Sequence, residues 1–326
     1  MTRAVNTHSG EPAPWRAVWL MLALLTTASV VVTGAEKVRR TSELRVGFPA
    51  TSFSTVNTTD ARASIKLWIE TMGRNHGYEL EVDTRIFNSA ESLYEEVAED
   101  RLDLVIMNAW DYLDVREEQL LRPVFIPSGQ EEVLDNYLLL VRRDGNIGSL
   151  AELRGADIAL LDATGIHYAR QWLDTQVLDQ GLGDTEEFFG TVSVVDKVSA
   201  AVLPVFFGKF DACLVDCSGY RTMQQMNPQV ERQLLALLTS PPLIETIICM
   251  HVHGHEFEED IVQTLGELHL EPRGQQILMV FKMERLVQFD PVYMESLISF
   301  REQHLELTGQ VEDTLAASRT ERSADE

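Results

Sequence analysis

From Leu44 onward the apolar residues keep changing period, and that alternation does most to limit the folds open to the chain. Leu44–Phe48 reads as a short strand. Thr58, Thr59 or Asp60 caps a helix with an apolar stripe of Ala61, Ile65, Trp68 and Met72, ended by Gly77. Leu80–Phe87 is a strand, Asn88 or Ser89 caps a helix carrying Leu93 and Val97, and Leu102–Met107 is apolar apart from Asp103. Strand, helix, strand, helix, strand with right-handed crossovers builds a parallel sheet. The order then recurs. Asp157–Leu161 is a strand, and a helix with Tyr168, Trp172 and Leu173 closes near Gly181. Phe188–Val194 is strand-like, Lys197–Phe207 is an apolar helix containing Pro204, and Phe210–Val215 is a strand.

The two halves share one detailed parallel. Arg101-Leu-Asp-Leu-Val-Ile-Met-Asn108 lines up with Lys209-Phe-Asp-Ala-Cys-Leu-Val-Asp216: basic, apolar, Asp, four apolar residues, then a short polar group. Buried parallel strands resemble one another anyway, so chance is the competing reading. If the parallel is structural, Asn108 and Asp216 stand at corresponding carboxyl ends of strands, where open α/β sheets bind ligands. Two extended runs, Asn136–Val141 and Ile244–Met250, bracket the second half. The spacing predicts two lobes joined by a two-strand hinge. Lobe one is residues 43–140 plus 245–307, lobe two is 141–244, and 308–326 is a polar tail. Each lobe is expected to be a mostly parallel sheet flanked by helices, and 256–307 is helical by pattern.

The length of 326 residues suits about two domains. With 27 Lys+Arg against 51 Asp+Glu, the net charge of -24 argues against a nucleic-acid partner, which needs clustered cations. A closed pocket can still hold an anion on N–H groups. Arg3 and Arg16 precede an uncharged run, Ala17–Thr33, and Thr33-Gly34-Ala35 offers small residues for cleavage. Residues 1–35 are therefore a signal peptide or, if uncleaved, a membrane anchor. Either form puts the protein in the periplasm. Cys213, Cys217 and Cys249 are too few for a disulfide scaffold and read as buried thiols in strands, with one bridge left open.

The stretches LRVGFP (44–49), LDLVIMNAWDYL (102–113), IGSLAELRGADIALLDATG (147–165) and VLPVFFGKFDACLVDCSGY (202–220) carry a resemblance. MNPQVERQLLALLTSPPL (226–243) continues it. Together they resemble the phosphate/phosphite/phosphonate-type periplasmic substrate-binding proteins of ABC transporters, with the type 2 periplasmic-binding fold. The resemblance implies a two-lobed α/β receptor that closes on a small solute and delivers it to an ABC permease. The family's Gly-Pro pair after the third strand is matched by Asn108 and Ala109, its tyrosine by Tyr112, and its phosphate loop by Asp162-Ala163-Thr164-Gly165.

The candidate ligand-binding residues are Thr51, Ser52, Phe53, Asn108, Trp110, Asp111, Tyr112, Thr164, Gly165 and Asp216. Thr51, Ser52 and Phe53 follow the first strand and offer hydroxyls and an aromatic face. Trp110 and Tyr112 can wall a pocket while Asn108 and Asp111 orient a polar group. Thr164-Gly165 opens a helix whose free N–H groups suit an anion. A plain helix cap is the bland reading of Thr164, and core packing that of Trp110. Asp111, Asp162 and Asp216 near one cleft point to a solute with a cationic group as well, a zwitterion. Cys249, His251, His253 and His255 share one strand parity, but their spacing matches no metal motif, so no metal is expected. No nucleophile elbow, P-loop, HExxH or GxGxxG occurs, so neither catalysis nor a cofactor is expected. The partners expected are a small polar, anionic or zwitterionic solute and an ABC permease, or a membrane sensor kinase, with the receptor acting as a monomer.

Overall fold

The structure, a computed structural model, describes residues 41–53, 57–76, 79–129, 133–162, 168–281 and 283–324. The N-terminal run, the phosphate-loop residues Thr164 and Gly165, and the Phe53 side chain lie outside what is described. Among the described residues no helix is long and apolar enough to cross a membrane.

The first lobe opens with β1 (Thr41–Pro49), α1 (Thr58–His76), β2 (Glu79–Phe87), α2 (Ala90–Ala98), β3 (Leu104–Asn108), α3 (Ala109–Val115) and β4 (Leu121–Ser128). The second holds β5 (Tyr137–Arg142), β6 (Asp157–Leu161), α4 (Tyr168–Asp179), α5 (Thr185–Phe188), β7 (Thr191–Val195) and α6 (Val198–Phe206). It continues through β8 (Ala212–Asp216), α7 (Cys217–Met226), α8 (Pro228–Gln233) and β9 (Leu234–Thr239). The chain returns with β10 (Thr246–His251), α9 (Glu258–Gly266), α10 (Pro272–Val280), β11 (Arg285–Gln288) and α11 (Glu295–Ala324).

Sheet one runs β11-β4-β10-β3-β1-β2 and sheet two β7-β6-β8-β5-β9. Both are mixed. The expected parallel strands form a trio in each, β2-β1-β3 and β7-β6-β8, and the remaining strands are antiparallel. The two extended runs read as hinge strands each belong to a sheet: β5 is a strand of sheet two and β10 of sheet one. Sheet two thus starts at Tyr137, upstream of the predicted boundary. The chain passes between sheets after Ser128 and again after Thr239. The two passages pair with each other: Asp135 N–H donates to Leu243 O (3.1 Å), and Leu243 N–H donates to Asp135 O (2.7 Å).

The sequence parallel between the halves extends to hydrogen bonds. Asp103 N–H donates to Arg45 O (2.8 Å) and its carboxylate accepts from Arg45 N–H (2.7 Å). At the matching place Asp211 N–H donates to Asp157 O (2.9 Å) and its carboxylate accepts from Asp157 N–H (2.9 Å). At the far ends, Ala109 N–H donates to Glu245 O (2.9 Å) and Cys217 N–H to Asn136 O (2.8 Å). Asn108 and Asp216 sit opposite Thr246 and Tyr137 on the returning strands. The same unit has been built twice.

Alternation along sheet one sends Val46, Phe48, Leu104, Ile106 and Ile248 into one layer, covered by Ile65 and Trp68 of α1 and Leu278 of α10. The predicted stripe Ala61, Ile65, Trp68 is buried there. Val105, Met107 and Cys249 face the other layer, with Leu93 and Val97 of α2. Cys213 and Cys249 are buried free thiols, as their apolar runs implied, and Cys217 is half-buried. Three strands escaped the sequence reading. β4 carries Pro123 and Pro127, and Pro123 meets Cys249 next to a register shift in β10, where a missing N–H costs little. β9 and β11 were not read as strands.

Candidate interlobe binding site

The carboxyl ends of β3 and β8 each run straight into a helix. Asn108 Oδ1 accepts from Trp110 N–H (2.8 Å) at the start of α3. Asp216 Oδ1 accepts from Gly219 N–H (2.5 Å) and Ser218 Oγ–H (2.8 Å) at the start of α7. Both predicted strand-end residues are thus N-caps. A carboxylate already placed on the α7 terminus fills the place an anion would otherwise take there.

A cavity of about 460 Å³ lies where those ends meet. Its mouth carries Thr51 and Ser52 after β1, Asn108, and the α7 face Ser218, Arg221, Thr222 and Gln225. The spacing of those four residues places them on one side of a helix. Asp135 and Glu245, from the two passages between the lobes, stand at the same mouth. Burial raises both carboxyls above their ordinary range, and repulsion from Asp216 adds to it. Tyr137 O–H donates to Glu245 Oε1 (2.5 Å), which opposes the rise. From the mouth the cavity runs down into lobe one, between sheet one and helices α1 and α10. Phe48, Ile106, Ile65, Trp68, Ile277 and Phe281 line that inner part. The buried Trp68 Nε1–H has no hydrogen-bond partner among the described residues.

The cavity gathers Thr51, Ser52 and Asn108 from the predicted set. Trp110 does not line it. Its ring packs on Tyr168 (5.7 Å between centroids), Phe300 (5.5 Å) and His304 (5.8 Å), which is the packing reading of that residue. Tyr168 Oη of α4 accepts from Trp110 N–H (2.6 Å) and also bonds Asn108 Oδ1, tying lobe two to lobe one. Asp111 and Tyr112 are in α3, away from the cavity lining. Burial, then Asp114, raises the Asp111 carboxyl, and burial raises the Tyr112 hydroxyl. Asp216 caps α7 without lining the cavity.

The sequence reading missed Arg221, Thr222 and Gln225, one turn and more past the strand end. Extending the strand-end rule along the following helix would have reached them. It missed Asp135 and Glu245 because both lie in connections. The inner apolar part had no sequence signal, since its residues read as ordinary core.

Residues 51–293 match the family model described as "ABC transporter, phosphonate, periplasmic substrate-binding protein". No curated protein matches the sequence. Among solved structures, a Xanthomonas citri protein bound to ATP aligns with a TM-score of 0.58 at 15% identity, covering 82% of this chain and 98% of that one. A binding-protein component of an ABC phosphonate transporter from Pseudomonas aeruginosa aligns with a TM-score of 0.50 at 11% identity, covering 87% and 99%. At these identities the likeness speaks for the fold.

Proposed function

The chain belongs to the phosphonate-type periplasmic substrate-binding proteins of ABC transporters, and from that premise we propose that its solute is a phosphonate-like anion with an apolar substituent. One observation carries the reading: a single cavity joins a hydroxyl- and guanidinium-bearing mouth to an apolar chamber. Methylphosphonate would occupy the mouth and leave the chamber empty. A longer alkyl or aryl group would fill it and release water from apolar surface. The leftover Trp68 N–H supports a solute with an acceptor or π face at that depth, because a buried donor without a partner costs about 1–3 kcal/mol.

Thr51, Ser52 and Arg221 would hold the phosphonate oxygens. Asp135 and Glu245 would meet an amino group on a zwitterionic solute. Solute touching both Ser52 and Arg221 would favour the closed arrangement through its contacts to both lobes. Delivery to a membrane permease follows from the family. The single-copy receptor acts from the periplasm.

Titration calorimetry with methyl-, butyl-, octyl- and phenylphosphonate, each with and without a 2-amino group, tests the proposal. Affinity should rise about three- to fourfold per buried methylene until the chamber is full, from about 0.8 kcal/mol each. Arg221→Gln should weaken every member about tenfold or more. Equal affinity along the series would remove the apolar substituent. Absence of binding by any phosphonate would remove the head group.

A further inference from the structure

The alternating cysteine and histidines at the end of β10 do not act together. Cys249 is buried against Tyr112, Arg122 and the sheet, and His255 Nε2 lies 3.0 Å from Glu43 O. His251 and His253 meet a residue remote in sequence, Asp100, in the turn between α2 and β3. Asp100 Oδ1 stands 3.6 Å from His251 Nδ1 and 3.4 Å from His253 Nδ1. The three donor atoms all lie within 4.8 Å of one another. We propose that Asp100, His251 and His253 form a zinc site with a fourth position open to water.

The argument is geometric. Zn–N and Zn–O bonds of about 2.0–2.1 Å at tetrahedral angles put neighbouring donors about 3.3 Å apart. The two separations from Asp100, 3.6 and 3.4 Å, are close to that value. Two imidazoles and one carboxylate are borderline donors that suit Zn²⁺ and leave one position for solvent. His251 Nδ1 now accepts from the His253 N–H at 3.2 Å, a long contact that a small turn of the ring gives up.

The surroundings hold the ligands in place. His251 is buried at the last position of β10, and its N–H donates to Asp103 O (2.9 Å). Asp100 adopts a left-handed backbone (φ 54°) in the turn between α2 and β3. Its carbonyl accepts from Arg45 Nη1 (2.5 Å), and Arg45 is held in turn by two oxygens of Asp103. The site is at the end of β3 and β10 opposite the cavity mouth. A metal there would pin the start of β3 to the end of β10.

The test uses the exported chain stripped with chelator, titrated with ZnCl₂ against a chromophoric competitor, and read also by thermal shift. One equivalent should bind with a dissociation constant below about 10 µM and raise the melting temperature. Asp100→Asn and His253→Gln alter exposed side chains, so both should fold as wild type in the absence of zinc. Each should weaken zinc at least tenfold, whereas His255→Gln should not. Co²⁺ in place of zinc should give the visible bands of a tetrahedral site in wild type only. Absence of stoichiometric binding would overturn the proposal. So would binding that survives both variants.

Discussion

Asp103 and Asp211 hold the same place in the two repeats, yet they are not equally costly to lose. Asp103 is 6% exposed and pairs with Arg45 through two oxygens in addition to its backbone bond. Removing it would take away the acceptor of two guanidinium hydrogen bonds. Asp211 is exposed and is bonded to the Asp157 N–H without such a pair among its described contacts. Asp103→Ala should therefore lower stability by about 2–3 kcal/mol, and Asp211→Ala by about 1 kcal/mol. Urea denaturation of both variants gives the comparison, and equal losses would mean that Arg45 contributes nothing to the first repeat. The pair also shows what a sequence can carry. The pattern basic–apolar–Asp–apolar survives as text because each position has a strand-bound task. The meeting of Asp100 with His251 and His253 does not, because the antiparallel register of β3 and β10 creates it between residues far apart in the chain.

At the scale of elements, α11 packs against α4 of the second lobe and α3 of the first. Trp110 is the centre of that seam, with Phe300 and His304 on one side and Tyr168 on the other. His304 Nδ1 lies 2.9 Å from Thr175 Oγ1, and Arg301 of α11 pairs with Asp114 of α3. Burial lowers the His304 pKa, with Asp174 pulling it the other way. Between that lowered value and about 6.5 the unfolded chain binds a proton that the folded chain does not. The group's contribution to stability is therefore present above about pH 6.5 and is lost as the pH falls below it. His304→Gln, which cannot titrate, should show a shallower loss of melting temperature between pH 7 and 5 than wild type. Parallel curves would show that the seam does not sense the proton. The helix periods of α1 and α2 were readable because each buries one stripe against one sheet. The seam was not, since Trp110 at a strand end looks the same whether it faces a ligand or a neighbouring helix. β4 was hidden by its two prolines, of which Pro123 sits at the local register shift against β10.

For the whole molecule, the order of strands differs from the order of the chain in a way that matters in time. Sheet two is complete between Tyr137 and Thr239, one uninterrupted stretch. Sheet one is not: β10 lies between β3 and β4 and arrives only after all of lobe two. Until then β3 and β4 cannot be joined, and each presents an unpaired edge. Contacts closed over longer loops form later, so sheet two should precede sheet one during refolding. Pulsed hydrogen exchange should find Leu139 and Leu214 protected before Ile106 and Ile248, and the reverse order would refute this. A secreted polypeptide must remain loose until it has crossed its membrane. By withholding the central strand of its first lobe, this one keeps the early-emerging half from setting before the whole of the second lobe has been read.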